Sequence, residues 1–369
     1  MNLIEQNRYY KTDIFIDING NIYKNKIFKI ENGHVKFFEK VEKKEIIELN
    51  SIVFPSFVNA HTHLELTNIN KSDLNFSSFV DWVISLIKEK RKKDEKFFLN
   101  SYLKGKNLLN NYGIYAFGNI LSPFLYDKIP ENDKEFNFVE IIEYNKNNIE
   151  NINLNYPKVS PHSFFSVHPD LIEKILKLNK PISIHFFESK EEYEYLIHNR
   201  GDIPEKLYSF TNLKPLKYNL DYFLNFLKKV QNVQLVHLCN LPEDLKPLII
   251  KRKNELHFTL CPRSNKKFGL KSPYYFFIKN NIPFSLGTDS LCSNDDLNVV
   301  NEAKFIFEDL KDEFDKEQLA KILFLCLTKW GYKSIFLNTI IYVYISNFTS
   351  YNNFYFYDFL EYHSIMNKN

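Results

Sequence analysis

Several features that mark particular protein classes are scarce or missing in this sequence. The 369 residues include only four cysteines, none at Cys-x-x-Cys spacing, so a disulfide framework is excluded and a reducing cytoplasm is favoured. Residues 1–8 form no apolar signal region, and the longest apolar runs, such as 340–345, are far too short to span a bilayer. These absences predict a folded cytoplasmic protein.

Strong charge of one sign is missing as well. The 48 basic and 45 acidic residues give a net charge of +3, which argues against nucleic acid or a membrane surface as partners. One dense charged block, residues 88–93, is interpreted as the end of an exposed helix. The chain length suits one large core with a small appended domain, or two ordinary domains.

The first 50 residues read as short strands joined by tight turns. Asn19-Gly20 and Asn32-Gly33 each stand between apolar segments, and Asn-Gly in that setting predicts a β-hairpin. The segment 335–357 returns to strand-rich sequence. Residues 1–51 and 335–369 are therefore predicted to form one small β-sandwich domain built from both termini.

From residue 52 onward, apolar strands alternate with helical segments. Eight strand-helix units predict an α/β fold, a (β/α)8 TIM-type barrel over residues 52–334. The candidate strands are 52–58, 114–118, 138–142, 157–160, 181–186, 233–237, 256–260 and 283–287. The helical segments include 76–91, 94–111, 169–179, 219–230, 242–253 and 297–310.

Metal-binding residue types follow these apolar strands. His61 and His63 end the first strand, His185 ends the fifth, His237 the sixth and Asp289 the eighth. Catalytic groups of barrel enzymes lie at the C-terminal ends of the strands, so these five side chains are expected to converge. Four imidazoles and one carboxylate suit one divalent metal ion, Zn²⁺ or Fe²⁺.

Glu188 follows His185 by three residues, where the fifth strand turns into its loop. A carboxyl group in that place is partly desolvated, so its pKa is expected to rise, which suits a proton shuttle.

The order of these motifs resembles the amidohydrolase superfamily. The sequence has His-Thr-His, then His-x-x-Glu, then a lone His, then Gly-Thr-Asp-Ser, an order similar to that of the mononuclear deaminases of aminated purines and pyrimidines. Three longer strings look most like the aminodeoxyfutalosine deaminases: His61-Thr62-His63-Leu64-Glu65, Cys261-Pro262-Arg263-Ser264-Asn265, and the string from Gly287 to Asn294. The resemblance covers nearly the whole chain.

The resemblance implies a role for each matching residue of the metal centre. It gives four metal ligands: His61, His63, His185 and Asp289. His237 would contact the water molecule that the metal activates, and would act in catalysis together with Asp289. Glu188 would deliver protons to the ring nitrogen of the substrate.

Three more residues are implied as substrate contacts. His162, after the fourth strand, resembles a ribose-contacting histidine. Glu65 and Arg263 are the other two. Glu65 has the alternative of capping backbone amides, and Arg263 that of pairing with a surface acid.

Two positions depart from the superfamily pattern. Pro55-Ser56 stands where Pro-Gly is usual, so that turn is expected to differ. Binuclear members carry a carboxylated lysine at the end of the fourth strand. Lys158 precedes the Ser160-Pro161-His162 turn and is expected to lie too low in the strand, so a single metal ion is predicted.

The implied reaction is hydrolytic loss of the 6-amino group from an adenosine-like nucleoside. The substrate indicated is 6-amino-6-deoxyfutalosine, which would yield futalosine and ammonia on a route to menaquinone. Alternatives are deamination of adenosine, S-adenosylhomocysteine, methylthioadenosine or guanine, and dechlorination of an s-triazine. A non-catalytic barrel scaffold is the alternative of another class, but it predicts a broken ligand set. Oligomeric state is left open, with a homodimer among the options.

Overall fold

The computed structural model describes residues 1–42, 45–346 and 356 of the chain. Its strands are β1 (Asn2–Leu3), β2 (Tyr9–Ile16), β3 (Ile22–Glu31), β4 (His34–Phe38), β5 (Ile46–Glu48), β6 (Ser51–Pro55), β7 (Val58–Thr62), β8 (Ala116–Leu121), β9 (Asn137–Ile141), β10 (Val159–Pro161), β11 (Ile182–Phe186), β12 (Val233–His237), β13 (His257–Leu260), β14 (Ser285–Leu286) and β15 (Tyr342–Ser346).

The α-helices are α1 (Phe79–Arg91), α2 (Glu95–Asn111), α3 (Pro169–Leu176), α4 (Lys190–His198), α5 (Tyr208–Thr211), α6 (Leu220–Lys229), α7 (Lys246–Lys251), α8 (Pro262–Lys267), α9 (Tyr274–Lys279), α10 (Val299–Leu310), α11 (Lys316–Leu327) and α12 (Lys329–Ser334). Short 3-10 helices include Leu64–Leu66, directly after β7, and Ile203–Leu207 is one turn of π-helix.

The centre of the molecule is a parallel barrel made of β7 to β14. These eight strands are hydrogen-bonded in chain order, and each is buried along nearly its whole length. A parallel bridge between Thr62 and Asp289 joins the first strand to the end of the last. The predicted (β/α)8 barrel is confirmed, and the alternating apolar strands of the sequence form its wall.

Short polar side chains begin several of the barrel helices. Ser78, Asp94, Asn219 and Asp315 each accept a hydrogen bond from a backbone N–H in the first turn of the helix that follows. Such caps satisfy N–H groups that have no partner inside the helix. The caps explain why the helical segments begin within a few residues of their predicted starts.

The β domain predicted from both termini is confirmed as a second sheet. Its seven strands run in the order β1-β15-β6-β2-β3-β4, with β5 beside β2. The predicted hairpin at Asn32-Gly33 joins β3 to β4, and both turn residues have the positive φ that this turn requires. The proposed division of the chain at residues 51 and 335 stays a prediction, and 347–355 and 357–369 lie outside the described residues.

The strand predicted over residues 52–58 is two strands in the structure, and this prediction was wrong. Strand β6 pairs with β15 and β2 in the terminal sheet, whereas β7 opens the barrel. The break falls at Ser56, whose Oγ lies 3.4 Å from the Gly113 carbonyl and accepts a hydrogen bond from the Tyr115 N–H. The apolar run is continuous because both sheets bury it, so hydrophobicity alone does not show the change of sheet.

Lys158 lies at the N-terminal end of the barrel, as predicted. Its ammonium group donates hydrogen bonds of 2.6 Å to the carbonyls of Glu135 and Ile335. Burial lowers the pKa of Lys158 to about 8. The catalytic end of the barrel is the opposite one, so this lysine does not bridge a metal pair.

None of the helices in residues 1–42, 45–346 and 356 combines the length and hydropathy needed to cross a membrane.

Gly287 is the residue on which the barrel closure can be tested. A Cβ atom at Gly287 would lie 2.7 Å from the Cβ and the carbonyl oxygen of His61. Gly287→Ala is therefore expected to force β7 and β14 apart and lower the free energy of unfolding by about 1–3 kcal/mol, measured by urea titration. Gly269→Asn is the control, because Gly269 has φ +68° and nothing within 4 Å of its Cβ position. Equal stability of Gly287→Ala and the wild type would contradict this account of the closure.

Candidate active site

Strand β7 delivers two of the predicted histidines to the catalytic end of the barrel. His61 is fully buried, and His63 follows directly after the strand. Their ring centroids are 5.0 Å apart, because residues i and i+2 of a strand point the same way. Burial, together with neighbouring imidazoles, lowers the pKa of both rings well below the usual value. Both rings are therefore neutral at pH 7 and can donate a lone pair.

His185, at the end of β11, completes what we call the histidine triad (His61, His63 and His185). Its ring lies 4.9 Å from that of His61 and 5.5 Å from that of His63. Its Nδ1 lies 2.7 Å from the carbonyl oxygen of His162, so Nδ1 carries the proton and Nε2 is free to bind a metal. A backbone carbonyl that fixes the tautomer in this way is common behind metal-binding histidines.

Asp289 supplies a carboxylate beside the triad. Its Oδ1 lies 3.5 Å from His63 Nε2 and 4.0 Å from His61 Nε2. Its Oδ2 accepts hydrogen bonds of 2.8 Å from Ser264 and 2.7 Å from Ser293. Burial opposes ionisation of this carboxyl, but the His237 and His61 imidazoles and the two hydroxyls outweigh burial, so its pKa is lowered. Asp289 is a carboxylate at neutral pH.

His237 and Glu188 face each other next to Asp289. His237 Nε2 lies 3.5 Å from Glu188 Oε1, and on the other side of the ring Nδ1 lies 3.1 Å from the amide of Asn265. Burial lowers the pKa of His237 to about 3. The ring is therefore neutral and is held in place by the asparagine, with Nε2 directed at the carboxyl group.

Glu188 is a buried acid whose backbone is held by a helix cap. Burial raises the pKa of its carboxyl well above the usual range, and the charge of Asp289 raises it further. Ser189 and Glu192 form a capping box at the start of α4, in which Glu192 accepts a 2.6 Å hydrogen bond from the Glu188 N–H. The predicted rise in the pKa of Glu188 is confirmed in direction, and a raised pKa is what a carboxylic proton donor needs.

The donor set fits one divalent cation. The ligand atoms of the histidine triad all lie within 4.8 Å of one another, as do those of Glu188, His237 and Asp289. Within the described part of the chain, both ring nitrogens of His61 and the Nε2 of His237 are buried without a hydrogen-bond partner. Buried polar atoms without partners are costly, and a bound cation would remove that cost. Three imidazoles and one carboxylate suit Zn²⁺ or Fe²⁺.

A cavity of about 780 Å³ opens from this cluster. His63, His185, Glu188 and Asp289 belong to its lining, and so does His162, whose Nδ1 lies 2.7 Å from the Ser166 hydroxyl. Much of the remaining lining is apolar: Leu66, Phe79, Trp82, Val83, Leu86, Ile87, Phe98, Phe124, Ile142, Phe165, Leu207 and Leu213. An apolar cleft with a few convergent polar groups is typical of a small-molecule site.

Glu65 and Arg263 lie outside the lining of this cavity. Glu65 accepts hydrogen bonds from the Ser122 N–H and hydroxyl at 2.8 and 2.6 Å. This contact corresponds to the alternative role given above, in which Glu65 caps a backbone amide. Arg263 donates two hydrogen bonds of 3.0 and 2.9 Å to the carboxylate of Asp296. Both side chains are therefore engaged by the protein, and their roles as substrate contacts stay predictions.

Several charged residues of the cavity lining were missed by the sequence analysis: Lys90, Arg91, Lys93, Glu95, Glu140 and Glu143. Lys90 is part of the lining, although the block at residues 88–93 was expected to be exposed. That expectation holds for Lys88 but is wrong for Glu89, which is buried, and for Lys90, which is half-buried. The spacing of Lys90 from Val83 and Ile87 on α1 was the available signal, because positions three and four apart share a helix face.

The sequence matches the profile of the amidohydrolase family over residues 87–326. An aminodeoxyfutalosine deaminase of a Nitratiruptor species is 25% identical over 345 residues, which cover 83% of each chain. A 5′-deoxyadenosine deaminase of Methanococcus aeolicus is 28% identical over 77% of this chain and 69% of that protein. The crystal structure of Helicobacter pylori aminofutalosine deaminase in complex with methylthio-coformycin has a TM-score of 0.76 at 19% identity and 96% coverage of both chains.

The solved structure shares the fold of this protein over 96% of the chain. The family profile matches more than half of the chain, and the predicted class, a hydrolase of the aminohydrolase type, is confirmed. The chain belongs to the amidohydrolase family.

Proposed function

We propose that this protein is a metal-dependent deaminase of adenosine-like nucleosides and that its substrate is 6-amino-6-deoxyfutalosine. One observation carries the proposal. Glu188, an acid with a raised pKa, faces His237 at 3.5 Å beside the histidine triad and Asp289, at the inner end of one cavity. Deamination of a purine needs this combination, because a ring nitrogen must gain a proton while water attacks the adjacent carbon.

The histidine triad and Asp289 would hold the metal, which we propose to be Zn²⁺ or Fe²⁺. When bound, such an ion lowers the pKa of water and so supplies the nucleophile near neutral pH. Glu188 gives its proton to the purine ring nitrogen and makes the amine-bearing carbon electrophilic. His237 orients the attacking water, and the Asp289 carboxylate accepts the proton that this water loses. Ammonia leaves after a further proton transfer.

The size of the cavity is consistent with a nucleoside substrate that carries a bulky substituent. Its volume of about 780 Å³ lies in the upper part of the range of small-molecule sites, roughly 300–1,000 Å³. Phe79, Trp82 and Phe165 are aromatic residues of the lining and can pack against an aromatic group of the substrate. We propose His162 as a ribose contact, since it lies in the lining next to His185. A cytoplasmic location and a homodimer stay predictions.

A substrate panel tests the function. Ammonia release from 6-amino-6-deoxyfutalosine is expected to proceed with a higher kcat/KM than release from adenosine, methylthioadenosine, S-adenosylhomocysteine or guanine. Turnover is measured with the zinc-loaded and the iron-loaded protein. Faster turnover of another purine would refute the assigned substrate, and no turnover of any of them would favour a scaffold.

Removal of one triad member tests the metal site. His185→Ala is expected to weaken metal binding by more than about 100-fold, because the triad loses a ligand, and to abolish deamination. Metal content after dialysis, measured by plasma mass spectrometry, checks this. His34→Ala is the matched control, since His34 is exposed on the β3–β4 hairpin. Full metal content and activity in His185→Ala would overturn the ligand assignment.

Replacement of Glu188 tests the proton donor. Because a carboxyl with a raised pKa is protonated below that pKa, wild-type kcat/KM is expected to fall as pH rises through it. Glu188→Gln is expected to lower kcat by about 10²–10⁴ and to lose this alkaline decline, with metal content unchanged. Glu194→Gln, on the same helix, should behave like the wild type. An unchanged alkaline decline in Glu188→Gln would assign the titration to another group.

A further inference from the structure

Glu140 is a buried residue of the cavity lining whose carboxyl has no hydrogen-bond partner among the described residues. Only 7% of the residue is exposed, and the hydrogen bonds of the described residues leave its side chain unpaired. Phe138, two positions earlier in β9, packs against Phe336 at the N-terminal end of the barrel. Strand periodicity of two places Glu140 on the same side of the strand, at the catalytic end. Glu140 belongs to the cavity lining, so a ligand in the cavity can donate a hydrogen bond to its carboxyl.

Lys90 reaches the same part of the cavity from α1. Its ammonium group lies 3.6 Å from Glu65 Oε1 and interacts electrostatically with Glu140. At 3.6 Å the contact with Glu65 is long for a hydrogen bond, so Lys90 has N–H groups available for a ligand. We call these three residues the Glu65–Lys90–Glu140 cluster.

The charges of this cluster decide which chemical group it can accept. A ligand anion would meet two carboxyl groups and one ammonium group, so repulsion would oppose it. A ligand cation would be repelled by Lys90, which already compensates Glu65. A neutral hydroxyl suits the cluster, since it can donate to Glu140 and accept from Lys90. Burial raises the pKa of Glu140 to about 7, so near neutral pH this carboxyl is less completely ionised than an ordinary glutamate.

We propose that Glu140 and Lys90 bind the vicinal hydroxyls of the substrate's sugar and so make this deaminase selective for ribonucleosides over deoxyribonucleosides. The proposal rests on the proposed function, because it assigns a second part of the same substrate. Glu140 and Lys90 are specificity-determining residues in this account. Glu65 is a positioning residue, since its carboxylate is held by Ser122 and in turn orients Lys90.

The test compares two inhibitors that differ by a single hydroxyl group. Coformycin and 2′-deoxycoformycin are titrated into the zinc-loaded protein by calorimetry, and the ratio of their Kd values is the readout. The wild type is expected to favour coformycin by about 10-fold to 100-fold, the effect of one hydrogen bond to a charged group. Glu140→Ala should bring the ratio close to one. Glu140→Gln should retain part of the preference, because its amide oxygen still accepts a hydrogen bond.

Both inhibitors are measured on the same variant, so a general loss of folded protein cancels in the ratio. Glu135→Gln is the matched control, because this exposed carboxylate lies just before β9, at the opposite end of the barrel, and should leave the ratio unchanged. Failure of the wild type to bind either inhibitor would count against the proposed function itself. Tight binding without a 2′-hydroxyl preference, or a wild-type ratio in Glu140→Ala, would overturn only the role of the cluster.

Discussion

The contact between β7 and the end of β14 is the one on which the rest of the site depends. The Asp289 N–H donates a 3.0 Å hydrogen bond to the His61 carbonyl, and the Thr62 hydroxyl donates one of 3.0 Å to the Asp289 carbonyl. Thr62 and Asp289 are separated by 227 positions, so only closure of the barrel brings the two parts of the ligand set together. Gly287 permits this close approach because it has no side chain to collide with His61.

Backbone strain is concentrated where these ligands are displayed. Most residues other than glycine with a left-handed φ are asparagines, which tolerate that conformation in turns. Phe187, His237, Leu238 and Asp289 have it as well, and all four lie at strand ends of the site. Each such residue costs on the order of 1–3 kcal/mol. The surrounding barrel supplies the stability that holds them, and the strained turns direct His237 and Asp289 toward the triad.

Much of the fold and the grouping of side chains at the candidate metal site could be predicted from the sequence, because both follow from a simple periodicity. An apolar strand that ends in histidine or aspartate gives both the element and the direction of its last side chain, as for His185 and His237. The change of sheet at Ser56 was not predictable from hydrophobicity, since both sheets bury that run. Glu140 was also missed, because it lies inside a strand with no motif around it. Its importance comes from the absence of a partner among the described residues, which only the assembled structure shows.

The cavity has two polar regions with opposite requirements, and together they fix how a substrate lies in it. Near the triad, the donor set needs a cation and Glu188 carries a proton for a basic ring nitrogen. At the Glu65–Lys90–Glu140 cluster, charge is already balanced within the protein, so that region favours neutral hydroxyls. The apolar lining between and around these regions strengthens both kinds of hydrogen bond by excluding water. Under the proposed function, a nucleoside would satisfy both regions with its base toward Glu188 and its sugar toward Glu140. The wall that binds the sugar would then also position the amine-bearing carbon for attack.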